Sequence, residues 1–259
     1  MQLIPFTVEM ASQLEALFIG KRPVPIRLWA ILDGTIQGRI LVDRPVQPTL
    51  ALVQELAEAT TYIGGAATPK AVAEAFTLLR QHQEVVVCIW PDDPIGAVLP
   101  PAPYYEGMAI DFTDRSPAVD LSQLAAPPSG YHFRKIDAEI APSLEGFDYY
   151  ISMFGGIERA IQNTVGYCLM QGERVVSEAV AGPLTRGLAE IGVGTGETYR
   201  RQGLATATAA RVIQACEAIG YAAFWNASQQ NAPSVALAKR LGFQTEQPFK
   251  VLAWSALTG

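Results

Sequence analysis

Apolar and polar positions along the first half of the chain form a pattern that predicts mostly strands. Two apolar runs, 28–32 and 36–42, are separated by a short segment that contains Asp33 and Gly34. Because an Asp-Gly pair tolerates positive φ at both turn positions, the pattern predicts two strands joined by a tight hairpin. Further strands are predicted at 49–56, 61–63 and 84–90, with a helix that begins at Thr68 and Pro69 before the last of them.

The second half of the chain shows a similar succession of predicted elements. It has strands at 164–170, 174–181 and 188–193, then a long helix, then a strand at 221–225. The likeness between the halves lies in the order of elements and not in the residues. It leaves two interpretations open, an ancient duplication and two unrelated α+β layers, of which we prefer the second.

A break in this periodicity predicts a domain boundary. Residues 114–130 contain three prolines, end in Gly130, and lie between strand-like segments on both sides. We therefore predict an α+β protein with an N-terminal domain, 1–125, and a C-terminal domain, 126–259.

Composition narrows the class of protein. With 49% hydrophobic residues among 259, the chain is globular, and a formal net charge of −6 argues against nucleic acid as a partner. The three cysteines lie in apolar surroundings without the spacing of a disulfide framework or a metal site, and we expect no metal. No segment reads as a signal peptide or membrane span, so we expect a cytoplasmic protein without a membrane partner.

Residues 189–220 are the part of the sequence that indicates a ligand-binding site. A short predicted strand leads into a loop and then into a helix that ends at Gly220. The residues at its predicted buried face recur at intervals of four, three, four and three: Ala205, Ala209, Val212, Cys216 and Ile219. The start of such a helix exposes unpaired backbone N–H groups that bind phosphate.

Two features beside this helix start strengthen the prediction of an anion site. Arg200 and Arg201 place two cationic side chains there in an otherwise acidic protein. Upstream, Gly192, Gly194 and Gly196 interrupt the predicted strand, and glycines in a strand often mark a bulge or a close approach by a ligand.

At these residues the chain resembles the GNAT superfamily of acyl-CoA N-acyltransferases. The family's loop pattern, Arg/Gln-x-x-Gly-x-Gly/Ala, is matched from Arg200 to Ala205. A downstream Asn-x-x-Ser at Asn231 and a Leu-Gly-Phe at 241–243 also match, and the resemblance covers about 131–259. It implies a C-terminal mixed β-sheet flanked by helices, preceded by a smaller α+β domain for which a related topology is one alternative. The longer architecture is similar to a bacterial two-domain subgroup.

The resemblance implies acetyl-CoA as co-substrate and a primary amine of a small molecule or peptide as acceptor. It places the pantetheine arm along Ile191, Val193 and Thr195, with a backbone N–H near Val193 as the oxyanion donor, and Asn231 nearby. The residues that it implies for the pyrophosphate are Arg200, Arg201, Gln202, Gly203, Leu204, Ala205 and Thr206.

Two glutamates are candidates for the general base. Glu190, on the strand that enters the site, is the first candidate, and Glu178, on the adjacent strand, is the second. The chain departs from the family at Ala238, where many members have a tyrosine that protonates the leaving thiolate. This departure keeps open an alternative, a noncatalytic acyl-CoA-binding regulatory protein.

Overall fold

The computed structural model describes residues 2–4, 8–20 and 23–257. It is an α+β protein with twelve strands and eight α-helices among these residues. Backbone contacts divide the chain into two compact units, one formed by Met1–Ala109 with Pro248–Gly259 and the other by Ile110–Gln247. Across the described residues, none of the helices has the length and apolar character that a membrane crossing requires.

The first unit is built on a four-stranded antiparallel sheet with the order β1-β2-β3-β4. Its elements along the chain are β1 (Gln2–Ile4), α1 (Val8–Glu15), α2 (Ile26–Leu32), β2 (Gly38–Val42), β3 (Leu50–Glu55), β4 (Thr61–Gly65), α3 (Pro69–Arg80) and β5 (Val85–Ile89). The core beneath α3 contains Phe76, which meets Trp254 edge to face at 5.0 Å between ring centroids. Trp254 belongs to the last strand, β12 (Glu246–Trp254), which pairs antiparallel with β5.

The prediction of a strand at 28–32 and a hairpin at Asp33 and Gly34 is wrong. Residues Ile26–Leu32 form α2, in which Trp29 N–H donates to Pro25 and Asp33 N–H donates to Trp29. Most residues of α2 are buried, and the run 28–32 is apolar at every position. Such a run has no hydrophobic periodicity by which a helix could be distinguished from a strand. Gly34, at φ 71°, follows the C-cap of the helix and is not a hairpin residue.

The remaining strands predicted in the first half are present, and their ends lie within two residues of the predicted ends. The predicted strand at 36–42 corresponds to β2. The strands at 49–56, 61–63 and 84–90 correspond to β3, β4 and β5. The predicted helix start is also present, since the Thr68 side chain accepts from Ala71 N–H and Pro69 occupies the first turn of α3.

The second unit holds the segment that indicates a ligand-binding site. Its elements are the end of β6 (Tyr105–Phe112), α4 (Leu121–Leu124), β7 (His132–Lys135), α5 (Phe147–Phe154), α6 (Ile157–Gln162), β8 (Val165–Gln171), β9 (Arg174–Thr185), β10 (Leu188–Thr195), α7 (Leu204–Ala218), β11 (Ala222–Ser228) and α8 (Ala232–Arg240). The strands β7 to β10 are antiparallel neighbours, and β11 lies parallel to β10.

Helix α7 packs its small apolar residues against this sheet. Ala209, Val212 and Cys216 are fully buried, as the periodicity predicts, while Ala205 is half-buried. Ile219 was predicted on the same face, and that prediction is wrong. It is 56% exposed, because α7 ends at Ala218 and Ile219 is the C-cap before Gly220.

The compact units divide the chain at other residues than the predicted boundary. Residues 110–125 pack with α7 in the core of the second unit through Ile110, Phe112, Leu121 and Ala125. Residues 248–259 join the first unit because β12 pairs with β5. The proline-rich segment therefore marks a connection inside the second unit.

Both halves of the chain have the same order of elements: a strand, two helices, three antiparallel strands, a helix, a strand, a helical turn or short helix, and a strand. The final strands are exchanged. β12 of the second half completes the first unit, while Asp111 on β6 of the first half accepts a hydrogen bond from Asn226 on β11 in the second unit at 2.7 Å. The order of elements is thus shared by the two halves, as the sequence pattern indicates.

Candidate active site

Strands β10 and β11 pair over only part of their length. Their register runs from Leu188 opposite Ala222 to Glu190 opposite Phe224, and both strands continue beyond that point. From Ile191 to Thr195, β10 pairs only with β9 on its other side. One edge of this segment therefore keeps backbone N–H and C=O groups that β11 does not satisfy.

Glycines allow close packing along this part of β10 without ending the strand. A Cβ at Gly192 would lie 2.5 Å from the Tyr150 hydroxyl oxygen, and one at Gly194 would lie 3.4 Å from Glu178 Cγ. The sequence suggested a bulge at these glycines. The bulge of β10 lies just before them, between Ala189 and Ile191. The strand itself extends to Thr195, two residues beyond the predicted end.

The loop after β10 turns back through two residues with positive φ. Arg201 has φ 64° and Gly203, the N-cap of α7, has φ 80°. Glycine adopts this conformation without strain, and a Cβ at Gly203 would meet no atom within 4 Å. Tyr199 anchors the loop by packing against the buried Leu204 and Val176.

The start of α7 is open. No side chain caps Gly203, and no hydrogen bond outside the helix satisfies the N–H groups of Leu204, Ala205 or Thr206 among the described residues. The corresponding helix of the first unit, α3, is capped by Thr68 and begins with a proline. Of these two helix starts, only α7 presents a row of unoccupied donors.

Two arginines lie next to these donors without forming ion pairs within the described part of the chain. Arg200 is exposed, and its Nε donates to the Thr195 carbonyl at 3.3 Å. Arg201 is exposed at the positive-φ turn. Gln202 is held by the Tyr131 hydroxyl, which donates to Gln202 Oε1 at 3.3 Å.

A cavity of about 540 Å³ lies on the β9 side of β10. Three segments line it: the loop before α5, the first half of β9, and the end of β10 with the loop that follows. The lining residues are 143–146, 174–178 and 194–200. The cavity thus includes Glu178, Thr195 and Arg200 of the predicted site, while the other predicted residues lie outside its lining.

Glu178 is the half-buried carboxylate of this cavity. Its Oε1 accepts a hydrogen bond from Gly146 N–H at 2.8 Å, and its backbone lies opposite Gly194 on β10. Burial raises the pKa of Glu178 above its usual value, although the Gly146 N–H opposes this change and the nearby Glu145 carboxylate adds to it.

Glu190 lies at a different place on the sheet. It occupies the bulge of β10 opposite Phe224, four residues from Gly194. At the rise of a strand this separation is about 13 Å. The two candidate bases therefore do not share one site, and Glu178 is the one that lines the cavity.

The downstream residues of the predicted site are part of α8. Asn231 is its N-cap, with Oδ1 accepting from Ser234 N–H at 3.2 Å, and it is exposed. Ala238 is fully buried among core residues of the second unit. Its methyl side chain carries no hydroxyl group that could protonate a leaving thiolate.

A family model described as GNAT acetyltransferase matches residues 25–252. The chain belongs to this family. The match extends well beyond 131–259, the part of the chain that carried the resemblance, and includes most of both units of the fold.

Among curated proteins, the chain is 31% identical over 126 residues to the "Uncharacterized N-acetyltransferase YdfB" of Bacillus subtilis (strain 168). The match covers 48% of this chain and 48% of that protein, so the chain spans about half the length of the curated relative that it matches.

Solved structures of GNAT proteins share the fold over nearly the whole chain. A GCN5-related N-acetyltransferase-like protein from Streptococcus suis 89/1591 has a TM-score of 0.70 at 23% identity, covering 96% of this chain and 100% of that one. A tandem GNAT protein from the clavulanic acid biosynthesis pathway, without AcCoA, has a TM-score of 0.64 at 14% identity, covering 100% and 99%. These similarities show the mixed α+β fold of this chain.

Several cavity residues were not predicted from the sequence. Gly146 supplies the hydrogen bond to Glu178, Glu145 adds a carboxylate, and Arg174 adds a guanidinium at the start of β9. The loop at 143–146 carries no motif that marks it. One feature of the sequence could have indicated Arg174. It directly follows the turn at Gly172 and Glu173, and this turn lies at the same end of the sheet as the loop after β10.

Proposed function

We propose that the protein is an N-acetyltransferase that moves an acetyl group from acetyl-CoA to a primary amine of a small molecule or peptide. The observation that carries this proposal is the open start of α7 beside the unpaired edge of β10. Oriented N–H groups and a helix dipole favour a phosphate at such a place, and two arginines without ion pairs add positive charge.

The residues present fit the coenzyme. Gly203 leaves open space at the helix start, and the N–H groups of Leu204, Ala205 and Thr206, with Arg200, Arg201 and Gln202, would hold the pyrophosphate. The free edge of β10 from Ile191 to Thr195 would hold the pantetheine arm, and Asn231 would contact it from α8. When bound, acetyl-CoA supplies an acyl group that its thioester activates.

The chain supplies a base and a donor for the transfer. Glu178 accepts a proton from the acceptor ammonium, and the amine nitrogen then attacks the thioester carbonyl. As the carbon–sulfur bond breaks, the nitrogen loses a second proton, which the departing thiolate takes up. A backbone N–H near Val193 donates to the carbonyl oxygen, where negative charge develops. The leaving thiol has an ordinary pKa near about 8.5, so it can depart as thiolate without an acid at Ala238.

Two buried cysteines of the chain favour direct attack by the amine over a mechanism in which a cysteine is first acetylated. Burial raises the pKa of the Cys168 thiol to about 11 and that of the Cys216 thiol to about 12, so neither is a ready nucleophile.

Thermal unfolding with acetyl-CoA tests the coenzyme part of the proposal. At about 100 times its dissociation constant, the ligand should add about 2.7 kcal/mol of stability. Gly203→Ala should lose most of this shift because it strains the turn and narrows the helix start. Gly220→Ala, at the other end of the same helix with φ 87° and open space, is the matched control and should keep the shift.

Release of coenzyme A in the presence of amines distinguishes the enzyme from a noncatalytic acyl-CoA-binding protein. The buried Ala238 is the feature that favours the second function. Release that depends on the amine and falls in Glu178→Gln supports the transferase. A stabilising shift without any amine-dependent release supports the binding protein.

A further inference from the structure

Charged residues of both signs line the cavity beside β10: the carboxylates of Glu145, Glu178 and Glu197, and the guanidinium groups of Arg174 and Arg200. Glu178 and Glu145 lie near the loop before α5, where Gly146 N–H donates to Glu178. Arg174 lies at the first residue of β9 and lines the same cavity. A ligand that extends along β9 from Glu178 would therefore meet the guanidinium of Arg174 four residues away.

Arg174 is held in place but keeps its hydrogen-bond donors for a ligand. Its guanidinium carbon lies 5.8 Å from the centre of the Tyr199 ring, and the described residues include no carboxylate in an ion pair with it. Other arginines of the second unit are paired, such as Arg115 with Glu217 and Arg134 with Glu139. The planar fork of an unpaired arginine binds a carboxylate through two parallel hydrogen bonds.

We infer that the acceptor carries a carboxylate as well as its amine, with the ammonium at Glu178 and the carboxylate at Arg174. This inference rests on the proposed function and names the class of its acceptor. The amine end follows from the half-buried carboxylate beside Gly194, and the carboxylate end follows from the stacked, unpaired guanidinium. Arg200 also lines the cavity, but we assign it to the coenzyme pyrophosphate because it belongs to the loop before α7.

The spacing of the two residues sets the length of the acceptor. Glu178 and Arg174 are four residues apart on β9, so their Cα atoms are separated by about 13 Å, less the shortening at the bulge near Val175. A separation of this size favours an acceptor longer than an α-amino acid. An extended peptide spans about 3.3–3.6 Å per residue, so a dipeptide or tripeptide, or a linear ω-amino acid, fits a cavity of this size.

The test compares acids with their own amides as acceptors. Glycylglycine, triglycine and 6-aminohexanoate are each paired with the corresponding C-terminal amide, and glycine serves as the short acid. The measurement is kcat/KM for coenzyme A release. The acids should be preferred over their amides by at least about tenfold, and glycine should be poor.

Two variants locate the source of this preference. In Arg174→Gln the acid and the amide should react at similar rates, because the guanidinium that reads the carboxylate is gone. Arg211→Gln is the matched control: this exposed arginine also stacks on a tyrosine, 5.0 Å from the Tyr167 ring, but lies outside the cavity lining. It should keep the preference of the unmodified protein.

Three results would overturn the inference: equal use of acids and amides by the unmodified protein, a preference that survives Arg174→Gln, and turnover of none of these acceptors while acetyl-CoA still stabilises the fold. The thermal shift with acetyl-CoA separates this failure from that of the proposed function. If the shift is present, only the acceptor class is wrong, whereas a missing shift removes the coenzyme site and the inference with it.

Discussion

At the scale of single residues, the proposed chemistry depends on the surroundings of Glu178. A carboxylate in open water is a weak base, because its pKa lies well below neutral pH. Burial in the cavity raises the pKa of Glu178, which makes its carboxylate a stronger base, and the Gly146 N–H donates a hydrogen bond to the same side chain. Glu190 has no such position in the cavity, although the sequence ranked it first.

Replacing Glu178 by glutamine tests its role as base. We expect Glu178→Gln to lower kcat about 10²- to 10⁴-fold, because the amide cannot take a proton, while the stabilising shift with acetyl-CoA is retained. Glu190→Gln, measured in the same assay, should have a much smaller effect. A large loss in Glu190→Gln together with normal turnover in Glu178→Gln would reverse the assignment.

The same carboxyl group makes a prediction about stability and pH. Because the folded pKa of Glu178 is raised, the folded state binds more protons than the unfolded state, and this group's contribution to stability falls as pH rises from the usual carboxyl range through the folded pKa. Denaturant unfolding should therefore show Glu178→Gln gaining stability over the unmodified protein as the pH rises from the usual carboxyl range through the folded pKa of Glu178. A difference that is constant with pH would mean that the buried carboxyl does not titrate differently on folding.

At the scale of elements, the two corresponding helices differ at their first turns. Thr68 and Pro69 close the start of α3, whereas α7 begins at a glycine with no cap. This difference could be predicted from the sequence, since capping residues and glycines act locally. The strand partners of β10 could not be predicted, because the end of its pairing with β11 depends on contacts distant in sequence. For that reason the sequence does not indicate that Glu178 lies opposite Gly194.

The local contact between β10 and α5 gives a prediction about Gly192. A methyl group there would lie 2.5 Å from the Tyr150 hydroxyl, which donates to the Val180 carbonyl at 3.2 Å. Gly192→Ala should destabilise the fold by about 1–3 kcal/mol through overpacking. Tyr150→Phe should recover part of this loss in the double variant, as a double-mutant cycle by urea unfolding would show. Strict additivity of the two changes would mean that they do not meet.

At the scale of the whole molecule, the exchange of final strands determines which segments fold together. Neither the pairing of β12 with β5 nor the packing of residues 110–125 on α7 leaves a local signal, so the sequence placed the boundary at a proline-rich connection. α2 was missed for a related reason, since a helix buried on all sides has no amphipathic period. The order of β8, β9, β10, α7 and β11 was predicted correctly because glycine turns bound these elements and α7 has a regular apolar face.

Two fragments test the revised division. The fragment 110–247 contains the whole core around α7, while the fragment 126–259 lacks Ile110, Phe112, Leu121 and Ala125 and retains β12 without its partner β5. We expect cooperative thermal unfolding, followed by circular dichroism, for the first fragment and not for the second. Cooperative unfolding of 126–259 alone would contradict the division.

The contribution of β12 to the first unit is tested by a single substitution. Trp254 is 4% exposed and packs edge to face on Phe76. Trp254→Ala should cost about 3–5 kcal/mol of unfolding free energy because it leaves a cavity in that core. Trp254→Phe should cost clearly less, and equal losses in the two variants would argue against the packing described.

The central claim is that the opening amides of α7 bind the coenzyme pyrophosphate, and titration of the amide NMR signals with acetyl-CoA tests it most directly. The account predicts large, saturable shifts for the N–H groups of Leu204, Ala205 and Thr206, and none for those of Lys70 and Ala71 at the capped start of α3. If the protein binds acetyl-CoA and the α7 amides do not respond, or if α3 responds in their place, the account is contradicted.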